Sequence, residues 1–148
     1  MRTLIKGGTV VTASETVPAD VLVDGERVAA VSSSGDLAAS IQADQVIEAA
    51  GRYVMPGGID VHTHMELPFG GTFSSDDFAT GTAAAAWGGT TTIVDFALHD
   101  YGESLQSGVQ RWHQKAGAKA HIDYGFHMIV REVMSRPSPT WTAWSSRA

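Results

Sequence analysis

The chain has 148 residues, 10 basic and 16 acidic side chains and a formal net charge of −6, which argues against a nucleic-acid partner because phosphates call for a surplus of positive charge. Cysteine is absent, which excludes a disulfide framework. The sequence has no apolar run of the length that a signal peptide or a bilayer span requires, so we expect a cytoplasmic protein without a membrane partner.

Residues 1–55 predict a small β domain. The predicted strands are short runs of apolar and β-branched residues, at 4–11, 21–23, 28–31, 46–47 and 53–55. Asp24 and Gly25 separate the second and third runs and tolerate positive φ, which is typical of a tight hairpin turn. Ala50 and Gly51 mark a second turn before the last run.

From Pro56 the pattern changes to an alternation of strands and helices. Helices are predicted at 77–87 and 103–116, and strands follow them at 90–98 and 120–130. Ser74 and Asp77 have the spacing of a capping box before the first helix. An alternation of this kind predicts parallel strands that are joined by crossover helices.

The stretch from Met55 to Gly71 carries the clearest chemical signal. Side chains alternate between two faces of a strand, so Asp60, His62 and His64 are predicted to share one face. Two neighbouring imidazoles on a rigid strand are good ligands for zinc or a similar divalent ion. Asp60 is placed where its carboxylate could orient one of them.

This stretch resembles a known group of enzymes. The string P-G-G-I-D-V-H-T-H at 56–64 resembles the first barrel strand of the amidohydrolase superfamily. Its continuation, M-E-L-P-F-G-G-T-F-S-S-D-D-F at 65–78 and onward through V-D-F at 94–96, is similar to the hydantoinase and dihydropyrimidinase family. The resemblance runs from about residue 4 to residue 133.

The resemblance implies an α/β fold, the N-terminal part of a metal-dependent TIM-barrel hydrolase preceded by half of a small β-sandwich domain. Residues 1–55 would form the partial sandwich and residues 56–133 the first three barrel strands, whose carboxyl ends carry the active site. Residues 134–148 form an atypical tail with two arginines, two prolines, two tryptophans and no acidic residue. We expect a frame error there, and hence a truncated chain.

The resemblance also implies the metal site. His62 and His64 correspond to the two histidines that bind the more buried of two metal ions, which we expect to be zinc, with manganese or another divalent ion as the alternative. A carboxylated lysine, two more histidines and a proton-shuttling aspartate complete the family site, and all of them lie beyond the matched region, which therefore contains no catalytic residue. The complete family protein is expected to be a homo-oligomer, most simply a tetramer.

Further side chains are expected near this site. Asp60, Asp95 and His127 are predicted to support the ligands or to line the site, with a purely structural role as the alternative for each. His99, directly after the second barrel strand, is predicted to lie in a solvated loop.

The loop after the histidines corresponds to a substrate gate loop in hydantoinases. Met65, Leu67 and Phe69 would offer an apolar wall to the group on the ring carbon, and methionine in particular adapts to varied shapes. The alternative is a surface loop that folds over the barrel.

The implied function is the hydrolytic opening of small cyclic amides or imides, such as dihydropyrimidines and hydantoins, to N-carbamoyl amino acids. Dihydroorotase and allantoinase are the nearest alternatives, although the L-P-F-G-G-T loop favours the hydantoinase side. An alternative of another class is a non-catalytic, amidohydrolase-like interaction protein. A third is a small metal-binding module in which His99 or His127 completes the shell.

Since a catalytic zinc usually needs three protein ligands, we expect the chain as written to bind metal weakly and to hydrolyse nothing. We also expect it to be unstable or to aggregate, because an unfinished barrel leaves strand edges uncovered.

Overall fold

The structure is a computed structural model and describes residues 1–33 and 35–132. The chain divides into two compact units, Met1–Pro56 and the residues from Gly57 onward. Within the described ranges, no helix has both the length and the apolar character that crossing a membrane demands. The predicted atypical tail at 134–148, with its expected frame error, lies outside the described residues.

The first unit is a five-stranded sheet with one short helix. Its elements are, in chain order, β1 Arg2–Val11, β2 Thr16–Asp24, β3 Arg27–Ser33, α1 Asp36–Ser40, β4 Gln45–Glu48 and β5 Tyr53–Val54. The first three strands are antiparallel neighbours, whereas β4 and β5 pair parallel with β1. The predicted hairpin turn is present, and Gly25 has a φ of 62°.

Strand β2 begins before its predicted start at residue 21 and includes Asp20. A charged residue usually argues against a buried strand position, yet Asp20 is fully buried. Its two carboxylate oxygens accept hydrogen bonds from the backbone N–H groups of Gly7, at 2.8 Å, and Gly35, at 3.0 Å. These bonds offset the cost of burying the carboxylate.

The second unit has the predicted alternation of strands and helices. Its elements are β6 Gly58–Thr63, β7 Pro68–Phe69, β8 Thr72–Phe73, α2 Phe78–Trp87, β9 Thr90–Leu98, α3 Leu105–Ala116 and β10 Asp123–Ile129. Strands β6, β9 and β10 form a parallel sheet with β9 in the centre. Strands β7 and β8 form a small separate hairpin that was not predicted.

The capping box of α2 differs from the predicted one. Asp77 is the N-cap, and its carboxylate accepts from the N–H of Thr80 at 2.8 Å while Thr80 Oγ1 accepts from the N–H of Asp77 at 3.2 Å. Ser74 has a different role, because its hydroxyl accepts from the N–H of Leu67 at 2.8 Å. The predicted pairing of Ser74 with Asp77 is therefore wrong, and the box lies three residues later.

The core of the second unit lies between the two helices and one face of the sheet. Its fully buried members are Phe78, Ile93, Ala97, Trp112 and Ala116. Alternate residues of β9 point into this core, and the residues between them point to the opposite face of the sheet.

Helix α3 approaches β9 most closely at Gly108. A Cβ at this position would lie 2.6 Å from the carbonyl oxygen of Leu98, closer than two such atoms can approach. Gly108→Ala is therefore expected to push the helix away and to lower the free energy of unfolding by about 1–3 kcal/mol, measured by urea titration.

Gly125→Ala is the matched control, because a Cβ at Gly125 in β10 would meet no atom within 4 Å. Equal losses of stability in the two variants would show that helix approach does not explain the glycine at 108.

Candidate functional site

The two predicted ligand histidines lie together on the sheet face that is turned away from the helices. The imidazole rings of His62 and His64 have centroids 5.0 Å apart and are nearly perpendicular, at 89°. Both side chains are exposed. Thr63, between them in the sequence, points to the helix side and bonds to Asp95. The alternation that predicted a convergent imidazole pair therefore holds from His62 to His64.

Phe96 forms the wall against which these imidazoles pack. Its ring centroid lies 4.6 Å from that of His62 and 5.1 Å from that of His64. The ring of His127 on β10 packs on the same phenyl group at 4.9 Å. Phe96 was not among the predicted site residues, although it directly follows Asp95 on the strand and so points to the opposite face.

His127 is close to the imidazole pair but has a backbone partner. Its Nε2 lies 3.0 Å from the carbonyl oxygen of Val61. Because a carbonyl oxygen only accepts, this nitrogen carries the proton and donates. His127 therefore joins β10 to β6 at the level of the histidines, and its Nε2 is engaged.

Asp95 is the most completely buried acidic group near the site, with an exposure of 0%. Its Oδ2 accepts from Thr63 Oγ1 at 2.9 Å and from the N–H of Met65 at 2.7 Å, and its Oδ1 accepts from the N–H of Phe96 at 2.7 Å. Burial raises the pKa of Asp95 above its ordinary value, while the hydrogen bonds from Met65 and Thr63 act in the opposite direction. The carboxylate of Asp95 therefore bonds to the two residues that flank His64 and not to the imidazole of His64.

Among the described residues, Asp60 makes no hydrogen bond to an imidazole. Its Oδ1 accepts from the backbone N–H of His62 at 3.1 Å. The pairing of β6 with β9 is irregular between Asp60 and Thr63, so strict alternation does not extend back to Asp60. A role for Asp60 in orienting a ligand remains a prediction.

The predicted gate loop is divided between the core and the surface. Met65 and Leu67 are partly buried and pack against the hydrophobic core on the helix side, so their part in an apolar wall toward the substrate remains a prediction. The thioether of Met65 fits over α2 at Gly81, where a Cβ would lie 2.3 Å from Sδ. Phe69 on β7 is 81% exposed and is the member of the predicted wall that remains available.

Glu66 has a backbone conformation that is rare for a residue with a side chain, with a φ of 50°. Its Oε1 lies 2.7 Å from Lys119 Nζ, and its carbonyl oxygen accepts from Lys115 Nζ at 3.2 Å. Its backbone N–H donates to the carbonyl of Asp76 at 2.9 Å. These contacts hold the turn that follows His64, and no sequence signal pointed to Glu66.

His99 is buried, with an exposure of 1%, so its predicted place in a solvated loop is wrong. Its Nδ1 lies 3.0 Å from the carbonyl of Asp100 and 3.1 Å from that of Glu103, and its Nε2 accepts from the N–H of Arg131 at 2.9 Å. Both ring nitrogens are thus satisfied by the backbone, which organises the loop after β9.

The two neighbouring imidazoles are of the donor type that a divalent metal ion such as zinc binds. Zinc accepts histidine nitrogens readily, and a catalytic zinc usually takes three protein ligands and keeps one open position. Within residues 1–33 and 35–132, no group of three or more His, Cys, Asp or Glu side chains is arranged to hold a metal ion. His99 and His127, the two candidates for completing a self-sufficient shell, have backbone partners instead.

Comparison with known proteins gives a consistent match. Residues 53–138 match the model of the amidohydrolase family. The chain is 59% identical over 133 residues to a D-hydantoinase of Streptomyces coelicolor, covering 89% of this chain and 28% of that protein. It is 50% identical to a D-hydantoinase of Geobacillus stearothermophilus, covering 90% of this chain and 27% of that protein.

A solved structure agrees with these relatives. The crystal structure of a dihydropyrimidinase from Brevibacillus agri superposes with a TM-score of 0.84 and 56% identity, covering 91% of this chain and 28% of that one. The described part of the chain is therefore a mixed α/β structure of the hydantoinase type. It spans little more than a quarter of the length of these relatives.

Proposed function

Because the chain belongs to the amidohydrolase family, whose members are metal-dependent, we propose that it supplies the first part of an enzyme that opens cyclic amides by hydrolysis. The substrates would be dihydropyrimidines or hydantoins, and the products N-carbamoyl amino acids. The predicted resemblance to hydantoinases and dihydropyrimidinases is confirmed by relatives with those names. Substrate and activity at the level of the whole enzyme belong to the proposal.

The observation that carries the proposal is the convergence of His62 and His64 at the carboxyl end of a parallel strand. Strands β6, β9 and β10 would be the first three strands of a TIM barrel, where active sites lie at that end. The five-stranded sheet of the first unit would be one part of a β-sandwich.

His62 and His64 would hold the more buried of two divalent ions, for which zinc is the proposed metal. When bound, such ions supply Lewis-acid activation of water and of the substrate carbonyl. The two imidazoles would hold and orient the ion through their ring nitrogens. Phe96 packs against both rings and shields them from water on that side. Phe69 is the exposed apolar group that could contact the substituent on the ring.

The remaining ligands, the proton-shuttling group and the subunit contacts of a homo-oligomer would come from outside the described residues. The 148-residue chain by itself is therefore expected to bind zinc weakly and to show no turnover of hydantoin or dihydrouracil.

A chimaera tests the proposal directly. The part of this chain that aligns, without the atypical tail, replaces the matching part of the Streptomyces coelicolor D-hydantoinase over an alignment of 133 residues. Hydrolysis of hydantoin, dihydrouracil, dihydroorotate and allantoin is then measured with zinc present. We expect turnover of the first two rings by the chimaera and none by the chain alone.

A folded chimaera that lacks zinc and turnover, beside an active parent enzyme, would contradict the proposal. Preference for dihydroorotate or allantoin would favour the corresponding alternative activity. Stoichiometric zinc and turnover in the chain alone would show that two histidines need no further ligands from outside.

A further inference from the structure

Strand β6 is irregular where its histidines lie. Asp60 pairs with Ile93 and Thr63 with Asp95, so three steps along β6 match two steps along β9. This is the spacing of a β-bulge, which re-aims side chains and occurs often beside active sites. His62 lies inside the bulge and His64 directly follows the strand. Regular strand pairing therefore does not fix the direction of either imidazole.

Side chains replace the missing backbone contacts at this point. Asp95 Oδ2 accepts from Thr63 Oγ1 and from the N–H of Met65, the two residues that flank His64. On the other side of the sheet, His127 Nε2 donates to the carbonyl of Val61 within the bulge. Register beyond the bulge is thus set by a buried carboxylate rather than by the strand ladder alone.

Two neighbouring residues of β9, Asp95 and Phe96, contact β6 from opposite faces of the sheet. Asp95 points to the helix side and holds the backbone around His64, whereas Phe96 points to the other face and packs against both imidazole rings. Strand β9 thereby contacts both the backbone around His64 and the imidazole rings of His62 and His64. Asp95 is fully buried, and two of its three hydrogen bonds go to Thr63 and Met65, the residues that flank His64.

We propose that Asp95 is a positioning residue that acts through Thr63 and Met65 to hold His64, and with it the imidazole pair, in the arrangement that binds metal. The inference rests on the proposed metal site. It adds that this site depends on a carboxylate that touches neither the metal ligands' rings nor the substrate.

The experiment uses the full 148-residue chain and two readouts. The first is the zinc dissociation constant, from competition with a chromophoric chelator. The second needs no metal: it is the nuclear Overhauser effect between the rings of His64 and Phe96, whose centroids lie 5.1 Å apart. Thermal unfolding of each variant is recorded alongside.

Thr63→Val removes one hydroxyl and keeps the shape of the side chain, so it is the primary variant. It should weaken zinc binding measurably and reduce the ring contact. Asp95→Asn removes the carboxylate charge and should weaken zinc binding by about 10-fold to 100-fold, the range typical of residues that orient metal ligands.

Two controls accompany these variants. Thr63→Ser keeps the hydroxyl and should behave like the unsubstituted chain. Thr92→Val removes a hydroxyl at the other end of β9, where the residue pairs with Ile59, and should change neither readout.

The inference would be overturned if Thr63→Val and Asp95→Asn both kept the zinc affinity and the ring contact and lowered only the thermal midpoint. Asp95 would then have a stabilising role only. Should Asp95→Asn not fold, the Thr63→Val and Thr63→Ser pair decides. Should the unsubstituted chain bind no zinc, the proposed metal ligands fail in this chain, and the ring contact alone then supports or overturns the role of Asp95.

Discussion

Replacing either His62 or His64 by asparagine in the chimaera is expected to lower kcat/KM for hydantoin by at least on the order of 10³-fold. The metal contributes several kcal/mol of transition-state stabilisation, and each 1.4 kcal/mol corresponds to about a factor of ten in rate. Asparagine keeps a polar side chain of similar reach but is a much poorer zinc ligand. Zinc content, measured by atomic absorption, should fall together with activity.

His121→Asn is the matched control. His121 is also exposed and precedes β10. Within the described residues its imidazole makes no hydrogen bond, and its backbone N–H donates to Thr82 Oγ1 at 3.0 Å. Its replacement should leave zinc content and kcat/KM within about twofold of the unsubstituted chimaera, as expected for a surface change. Full activity in the His62 and His64 variants would remove the basis of the proposed function.

The position of the imidazole pair was predictable because it depends on a short-range rule. Alternation along a strand needs only neighbouring residues, and the run of apolar and β-branched residues around His62 and His64 indicates a strand. The same locality explains why the helix and strand order of the second unit was predicted. Each of those elements carries its own periodicity and ends at its own glycine or polar residue.

The supporting contacts were not predictable, since they join residues that are far apart in the sequence. Thr63 and Asp95 are 32 residues apart, and His127 and Val61 are 66 apart. A bulge in β6 decides which of these side chains meet, and an extra residue in a strand leaves no periodic signal. The same irregularity separates Asp60 from the strict alternation that the sequence predicts.

The gate loop shows what composition leaves undecided when the packing is unknown. Met65, Leu67 and Phe69 are all apolar and closely spaced, which made a continuous apolar wall a reasonable prediction. Gly81 on α2 leaves space that receives Met65, and the core draws in Leu67 as well. Phe69 is exposed, and only the tertiary packing distinguishes it from Met65 and Leu67.

These contacts connect the stability of the second unit with its proposed chemistry. Asp95 lies between the core of α2 and α3 and the segment that carries His64. Its neighbours Ile93 and Ala97 are core residues. We therefore expect a change in the core beneath the sheet to reach the imidazoles through β9, so that a stability variant there should also affect zinc binding.

Trp112→Ala is the stability change with the largest expected effect. The side chain is 1% exposed and belongs to the core with Phe78 and Ile93. Removing it leaves a cavity that the neighbouring elements cannot fill, so the free energy of unfolding should fall by about 3–5 kcal/mol. Urea titration followed by far-ultraviolet circular dichroism measures this without relying on tryptophan fluorescence.

Trp112→Phe separates ring packing from hydrogen bonding. The indole N–H of Trp112 lies near Asp95 and lowers the pKa of that carboxyl slightly, less than the hydrogen bonds from Met65, Thr63 and Phe96 do. Within the described residues, however, it makes no hydrogen bond of normal geometry. If packing supplies the stability, phenylalanine should retain most of it, with a loss below about 1.5 kcal/mol. Trp87→Ala, at a position that is 93% exposed, should change little. A loss in Trp112→Phe as large as that in Trp112→Ala would instead show that the indole N–H, through Asp95, contributes the greater part.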